Sequence, residues 1–373
     1  MKIIADKNIP FLKGIAESYG EITYLPGADF TKESIKDANT LIVRTVTHFG
    51  KENLENSKVK LICSATIGYD HIDTKYCEEN GIEWHNAPGC NSGSVQQYIA
   101  SALITIAGKK KFSLQEKTIG IVGVGNVGKK VASICELLGM RVLKNDPPRQ
   151  EAENSDEFTD IETIKREADI ITFHTPLIRE GKYATYHLAN EDFFNSLSQK
   201  PIIINSARGG IIDTSAIKTA IQNHKISGAI IDCWESEPHI DREYMDMADI
   251  ATPHIAGYSA DGKANATRMS LESLAGYWSL PKDPIKKITV PQVENPIIDY
   301  SGFGAGNIIE DIILKTYNPI EDHERFVKQP EEFSNLRGNY PLRREYLAYT
   351  VKNVNNKNHQ EILGKIGFRI NSL

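Results

Sequence analysis

Six short polar segments, each closing an apolar run, constrain this chain more than any other feature. In order they are GVGNVG (residues 123–128), KNDPP (144–148), FHTPL (173–177), NSARGG (205–210), DCWESEP (232–238) and TPHIAGY (252–258). The runs before them are strand-length, and helical stretches lie between. That alternation predicts a parallel sheet wound on both faces, with the polar segments at the carboxyl ends of its strands. Open sheets of this kind bind ligands there.

Residues 1–93 show the same alternation without the motifs. Strands are expected at 3–4, 22–25, 41–43, 61–63 and 82–84, with helices near 10–19, 31–37, 51–57 and 73–80. Thr31 or Asp29 is the expected cap of the second helix. Residues 94–110 form a long apolar-striped helix ending in lysines, and 261–278 another that returns the chain to the first unit. Prolines 281, 284 and 291 mark a linker. Beyond it, helices are expected near 305–316 and 358–365 and strands near 346–351 and 367–370. The expected fold class is α/β. Two doubly wound parallel-sheet domains, one flavodoxin-like and one Rossmann, are followed by a C-terminal α+β domain. The expected boundaries are 1–93 with 262–282 for the substrate domain, 94–261 for the dinucleotide domain and 283–373 for the C-terminal domain.

The chain has 373 residues, enough for two or three cores. A formal net charge of -6 argues against nucleic acid or an acidic membrane surface as a partner. The start shows no signal-peptide pattern, and no apolar stretch is long enough to span a membrane. Five cysteines at irregular spacing fit reduced thiols in a cytoplasm. Cys233 adjoins a motif but reads as a packed thiol. The histidines lack metal-ligand spacing, so no metal site is expected.

Gly123, Gly125 and Gly128 follow the strand TIGIV and open a helical stretch that begins with Asn126 and Val127. In that setting glycines permit a tight turn, close approach of a pyrophosphate and tight helix–strand packing. Asp146 ends the next strand, where a carboxylate accepts ribose hydroxyls and repels a 2′-phosphate. The cofactor expected is NAD, with Arg149 as the one residue that could favour NADP. Thr175 is a further cofactor contact. Arg208 can hold a carboxylate bidentately and polarise a carbonyl. His254 suits proton exchange with a hydroxyl, and Glu237 suits fixing its tautomer.

These residues together resemble the D-isomer-specific 2-hydroxyacid dehydrogenase family over roughly residues 1–280. The resemblance implies two domains with the active site in the cleft between them, and Arg208, Glu237 and His254 as catalytic positions. It also implies NAD contacts from Asp146, Thr175, Ser206, Ala207, Arg208, Asp232 and Gly257. VRTVT (43–47), SATIGYDHID (64–73), NAPGCNSGSV (86–95), NDPPR (145–149), TPHIAGYSADGK (252–263) and LRGNYPLRREY (336–346) are similar to one branch of that family. That branch oxidises 4-phospho-D-erythronate to a 2-oxo acid in pyridoxal 5′-phosphate biosynthesis. The similarity implies substrate contacts at Thr45, Thr66 and Tyr258, and a homodimer formed through the C-terminal region. The substrate phosphate needs a basic partner. Arg44 is the first candidate, and Arg343 and Arg344, reaching across a dimer, are the second. The alternatives are another hydroxyacid dehydrogenase, such as one for phosphoglycerate, or a non-catalytic NAD-sensing scaffold.

Overall fold

The strand-length apolar runs of the first 260 residues become strands of parallel sheets in the computed structural model, which describes residues 1–301 and 307–371. The chain divides into two units, Met1–Asn91 with Tyr258–Gln292, and Ser92–Gly257 with Val293–Leu373.

The first unit holds β1 (Lys2–Asp6), β2 (Glu21–Leu25), β3 (Thr40–Val43), β4 (Leu61–Ser64) and β5 (Glu83–His85), in the order β2-β1-β3-β4-β5. All pairs are parallel, the flavodoxin-like order. β3 and β4 are buried at every residue, which is why they read as unbroken apolar runs rather than alternating ones. The helix Ala260–Tyr277 packs Leu271 and Leu274 against Ile3, Ile42 and Leu61 on one face. Phe30, Ile35, Phe49 and Leu54 cover Ile62 on the other. Thr31 caps the helix Lys32–Ile35 by accepting from the Ser34 amide.

Two local expectations differ. The helix expected near 10–19 is a single 3₁₀ turn, Ala16–Tyr19. Pro10 lacks an N–H, and Gly14 turns to a φ of 87° just before it. The proline-marked stretch 281–291 carries a 3₁₀ turn, Asp283–Lys287, that buries Ile285 and Ile288 in the first unit's core.

In the second unit β6 (Thr118–Val122), β7 (Arg141–Asn145), β8 (Ile170–Phe173), β9 (Ile202–Asn205), β10 (Gly228–Ile231) and β11 (Ile250–Ala251) run in the order β11-β10-β9-β8-β6-β7. The place outside β7, a full strand in many dinucleotide folds, goes to a short extended segment. Thr159 donates to the Lys144 carbonyl at 2.7 Å, and the Asn145 side chain donates to the Thr159 carbonyl at 2.7 Å.

The C-terminal strands β12 (Ile297–Asp299), β13 (Thr350–Lys352) and β14 (Arg369–Asn371) form a small sheet of their own. Both pairings are parallel, so the region is a small α/β layer and not the α+β arrangement expected. Three-residue strands are too short to show a periodicity. The helix Lys357–Ile366 makes the crossover from β13 to β14. Ile308–Thr316 is helical as expected, and residues 305–306 of that expectation lie outside the described residues. The helices Pro319–Lys328 and Phe333–Gly338 went unread in the sequence.

The helix Ser92–Lys110 is covered nearly all round. Its Ser94, Gln97 and Ser101 are fully buried, because the C-terminal helices pack over the face they occupy. Gln97 donates to Thr316 Oγ1 at 3.1 Å and to the Arg344 carbonyl at 2.9 Å. Among the described residues, no helix is long and apolar enough to cross a membrane.

Candidate active site

The glycine loop sits between β6 and the helix Asn126–Leu137. Gly123 has a φ of 91°, and a Cβ there would lie 2.8 Å from the Thr175 nitrogen. A Cβ on Gly128 would lie 2.0 Å from the Gly123 carbonyl oxygen, so this glycine lets helix and strand close up. Beside Gly125 the space is open, and the first amides of the helix, from Asn126 and Val127, follow it. An open approach to a helix N-terminus suits a pyrophosphate. Buried Thr175 Oγ1 and Ser206 Oγ have no hydrogen-bond partner among the described residues. Such orphaned hydroxyls fit a polar ligand beside them. Ala207 adjoins Ser206, and its amide donates to Asn205 Oδ1 at 3.1 Å.

Asp146 ends β7. One carboxylate oxygen accepts the Val124 amide at 2.8 Å and the other accepts the Arg149 amide at 3.2 Å. Arg149 is paired within its own helix and with the glycine loop. Its guanidinium grips Glu153 at 2.7 and 2.8 Å and donates to the Val124 carbonyl at 2.6 Å. The feature that could have favoured NADP is thus neutralised by a helix neighbour.

His254 and Glu237 meet at 2.7 Å, through Nδ1 and Oε2. The other Glu237 oxygen accepts the Trp234 amide at 2.8 Å. Burial works to raise the Glu237 carboxyl, but the His254 charge and hydrogen bond, the Trp234 amide and the Arg337 charge outweigh it. The carboxyl sits below its ordinary range. An ionised Glu237 accepts from Nδ1–H, which leaves Nε2 as the nitrogen free for proton exchange with a substrate. His254 has a φ of 55°, a left-handed backbone that a non-glycine residue holds only when its surroundings impose it. Its amide is tied to the Asp232 carbonyl at 2.8 Å and the Thr252 carbonyl at 3.0 Å.

The Asp232 side chain is 1% exposed and holds the same loop. It accepts from Thr252 Oγ1 at 2.6 Å, from the Ile255 amide at 2.7 Å and from the Ala256 amide at 2.9 Å. Both its oxygens are therefore engaged next to Gly257. Arg208 follows β9, with Nη1 on the Ala207 carbonyl at 2.8 Å. A Cβ on Gly209 would lie 1.9 Å from the Trp234 carbonyl, so the glycine lets the Arg208 loop and the Glu237 loop touch. His174 has its Nε2 3.0 Å from Thr172 Oγ1, and burial pushes it down to about 3. It is a neutral structural residue. Ligand atoms of Cys233, Glu237 and His254 lie within 4.8 Å of one another. Burial pushes the Cys233 thiol well up, so it packs as a thiol.

The first unit carries the other expected residues. Arg44 Nε lies 2.9 Å from Asp6 Oδ2 and Nη2 lies 3.3 Å from Oδ1. Asp6 is 1% exposed, so it fixes the fork of Arg44 from below. Thr45 is exposed. Thr66 Oγ1 shares a 2.7 Å hydrogen bond with Ser64 and donates to the Gly68 carbonyl at 3.0 Å. Lys263 lies over the Tyr258 ring, 4.6 Å from its centre.

Arg343 corrects an expectation. It is 5% exposed and stacked 4.5 Å from the Tyr317 ring centre, so it does not reach out to a substrate phosphate. Arg344 is half-buried, and its carbonyl serves Gln97. The buried contacts of Asp6, Ser94 and Arg343 are made with partners far away in sequence.

Residues 97–256 match the family described as D-isomer specific 2-hydroxyacid dehydrogenase, NAD binding domain. Residues 289–367 match a domain of unknown function, DUF3410. A D-lactate dehydrogenase from Aquifex aeolicus, solved with NAD and lactic acid, shares the fold with a TM-score of 0.63 at 23% identity, over 77% of this chain and 98% of that one. NAD⁺-bound 3-phosphoglycerate dehydrogenase from Entamoeba histolytica does so with 0.63 at 26%, over 78% and 99%. The fold and the glycine loop thus define an NAD-binding dehydrogenase of the 2-hydroxyacid class. Erythronate-4-phosphate dehydrogenase from Bacteroides thetaiotaomicron is 54% identical over 94% of this chain and 99% of its own length. The Proteus mirabilis enzyme is 36% identical over 99% of each. The chain belongs to the erythronate-4-phosphate dehydrogenase family.

Proposed function

We propose that this protein oxidises the C2 hydroxyl of 4-phospho-D-erythronate to the 2-oxo acid, on the route to pyridoxal 5′-phosphate. The observation that carries the chemistry is the 2.7 Å pair of His254 with an ionised Glu237. When bound, NAD supplies the hydride acceptor. Gly123, Gly125, Asn126, Val127 and Gly128 face its pyrophosphate, and Asp146 faces its ribose. Thr175, Ser206, Ala207, Arg208, Asp232 and Gly257 complete its surroundings.

His254 takes the hydroxyl proton at Nε2, and Glu237 stabilises the imidazolium that results. Arg208 holds the substrate carboxylate. Thr45, Thr66 and Tyr258 bind the substrate's hydroxyls and phosphate, with Arg44 as the phosphate's cation. The protein works in the cytoplasm as a homodimer formed through its C-terminal region. Exposed Ile297, Leu342 and Leu347 in that region support an apolar contact there.

The test is NADH absorbance with a panel of phosphorylated and unphosphorylated 2-hydroxy acids. 4-Phospho-D-erythronate is expected to give the highest kcat/KM. A higher value for 3-phosphoglycerate would overturn the substrate assignment. Light scattering tests the dimer.

A further inference from the structure

The two peptide groups that follow His254 are buried, Ile255 at 0% and Ala256 at 1% exposure. Buried backbone groups need partners. The amides of both residues go to the Asp232 carboxylate, as described above. The carbonyls of both go to a residue 87 or more positions away, Arg343 of the C-terminal region. Its Nη2 donates to the Ile255 carbonyl at 3.1 Å and to the Ala256 carbonyl at 2.5 Å. Ser94 adds a second donor to the Ala256 carbonyl at 2.8 Å and itself accepts from Arg343. An anion grips the amide edge of this loop and a cation grips its carbonyl edge.

We propose that Arg343 is a positioning residue for the hydride-transfer site, holding the left-handed His254 turn in register from the carbonyl side while Asp232 holds it from the amide side. The C-terminal region therefore contributes to turnover within its own chain. The surroundings of Arg343 fit this role. Its guanidinium stacks on Tyr317, and Nη1 lies 3.5 Å from the Tyr340 hydroxyl. Both tyrosine hydroxyls donate to buried Asp322, at 2.8 and 2.6 Å. The side chain is thus oriented before it meets the loop. Arg343 donates to the backbone carbonyls of Ile255 and Ala256 and to Ser94, so it acts through the loop that carries His254. The inference rests on His254 being the proton acceptor.

The experiment compares Arg343→Met, Arg343→Lys, Ser94→Ala and His254→Ala in the full chain. For each, kcat, the KM for NAD and the Kd for NADH by fluorescence are measured. A small misplacement of a catalytic group costs about 10²-fold in rate, so Arg343→Met is expected to lose kcat on that order. Its NADH Kd should change far less than its kcat, because most of the proposed cofactor contacts lie on other loops and only Gly257 adjoins the held peptides. Arg343→Lys keeps a charged multiple donor and is expected to recover most of the loss. Ser94→Ala removes one of two donors to Ala256 and should lose less than Arg343→Met.

Parent-like kcat in Arg343→Met overturns the proposal. So does a loss of NADH binding that matches the loss of kcat. If Arg343→Met does not fold, parent-like kcat in Ser94→Ala overturns it instead. If His254→Ala keeps full turnover, the reading of the site itself falls and the inference falls with it. An inactive His254→Ala beside a fully active Arg343→Met sinks the inference alone.

Discussion

Glu237 Oε2 lies 2.7 Å from His254 Nδ1, and its other oxygen accepts the Trp234 amide. The carboxylate is therefore fixed by backbone on one side and fixes the imidazole on the other. This sets the tautomer and leaves Nε2 as the nitrogen that the proposed reaction uses as its base. General acid–base help contributes about 10²–10⁴-fold. His254→Ala should lose kcat in that range, and NADH fluorescence titration should show unchanged cofactor binding. Unchanged turnover would remove His254 from the chemistry.

Glu237→Gln probes a different property. The amide keeps an acceptor for the Trp234 N–H but loses the charge that stabilises an imidazolium. Loss of an orienting carboxylate in a carboxylate–His pair costs up to about 10⁴-fold. Steady-state kinetics should show a kcat loss of about 10²-fold or more with little change in the KM for NAD. An equal loss of cofactor affinity would mean that Glu237 shapes the NAD site instead.

In the proposed site, cofactor choice turns on Asp146 and on the grip of Glu153 on Arg149. A carboxylate–hydroxyl bond contributes roughly 1.5–3 kcal/mol, so Asp146→Ser should raise the KM for NAD about 10- to 100-fold. It should not by itself admit NADP, because Arg149 stays paired. Adding Glu153→Ala removes the counter-charge of that guanidinium while its bond to the Val124 carbonyl remains, and the double variant should use NADP better than Asp146→Ser does. Equal NADP activity in the single and double variants would show that Arg149 has no bearing on the phosphate.

The limits of sequence reading follow from distance along the chain. Most of β1 to β11 were legible because they are apolar runs closed by polar residues, and local pattern suffices for that. The places of Arg208, Glu237 and His254 in the loops after β9, β10 and β11 were legible for the same reason, since each follows such a run. Arg343 meets Ser94 across 249 positions, and Asp6 meets Arg44 across 38. No local pattern marks either pair. The RR of LRRE reads as a solvated face until Tyr317 and the His254 loop are folded against it. The polar stripe of Ser94, Gln97 and Ser101 reads as exposed until the C-terminal helices cover it. Three-residue strands β12 to β14 carry too few side chains to show a period.

Arg44 cannot be tested by simple truncation. Removing one partner of a fully buried ion pair costs about 3–5 kcal/mol; Arg44 is partly exposed, so the cost here is smaller, but Arg44→Met would still strand buried Asp6 without its counter-charge. The double variant Asp6→Asn/Arg44→Met avoids this. Its melting temperature should lie well above that of Arg44→Met alone. If Arg44 holds the substrate phosphate, the double variant should raise the KM for 4-phospho-D-erythronate far more than that for unphosphorylated D-erythronate. A parallel rise for both would assign Arg44 to structure only.

His71 provides a check on acid stability. Burial pushes its imidazole down to about 4, from an ordinary value of 6.5, with Asp70 opposing and His48 adding to the depression. Its Nε2 lies 3.2 Å from Ser64 Oγ, beside Thr66. The fold thus holds a neutral ring that the unfolded chain protonates below pH 6.5. Between about pH 6.5 and 4 the unfolded state binds more protons, so stability falls as pH falls through that window and is fully present above it. His174, pushed down to about 3 by burial, adds a loss of the same sign that continues to lower pH. A tenfold difference in proton affinity between the folded and unfolded chain is worth about 1.4 kcal/mol. Thermal melts should therefore show a midpoint that drops steadily from about pH 7 to about pH 4.5, the range in which the unfolded chain takes up these protons. A His71→Asn variant, which cannot be protonated, should show a shallower drop than the parent across the same range. Parallel slopes for the two proteins would mean that His71 is charged or solvated in the folded state, and would remove the Ser64–His71 contact from the loop that carries Thr66.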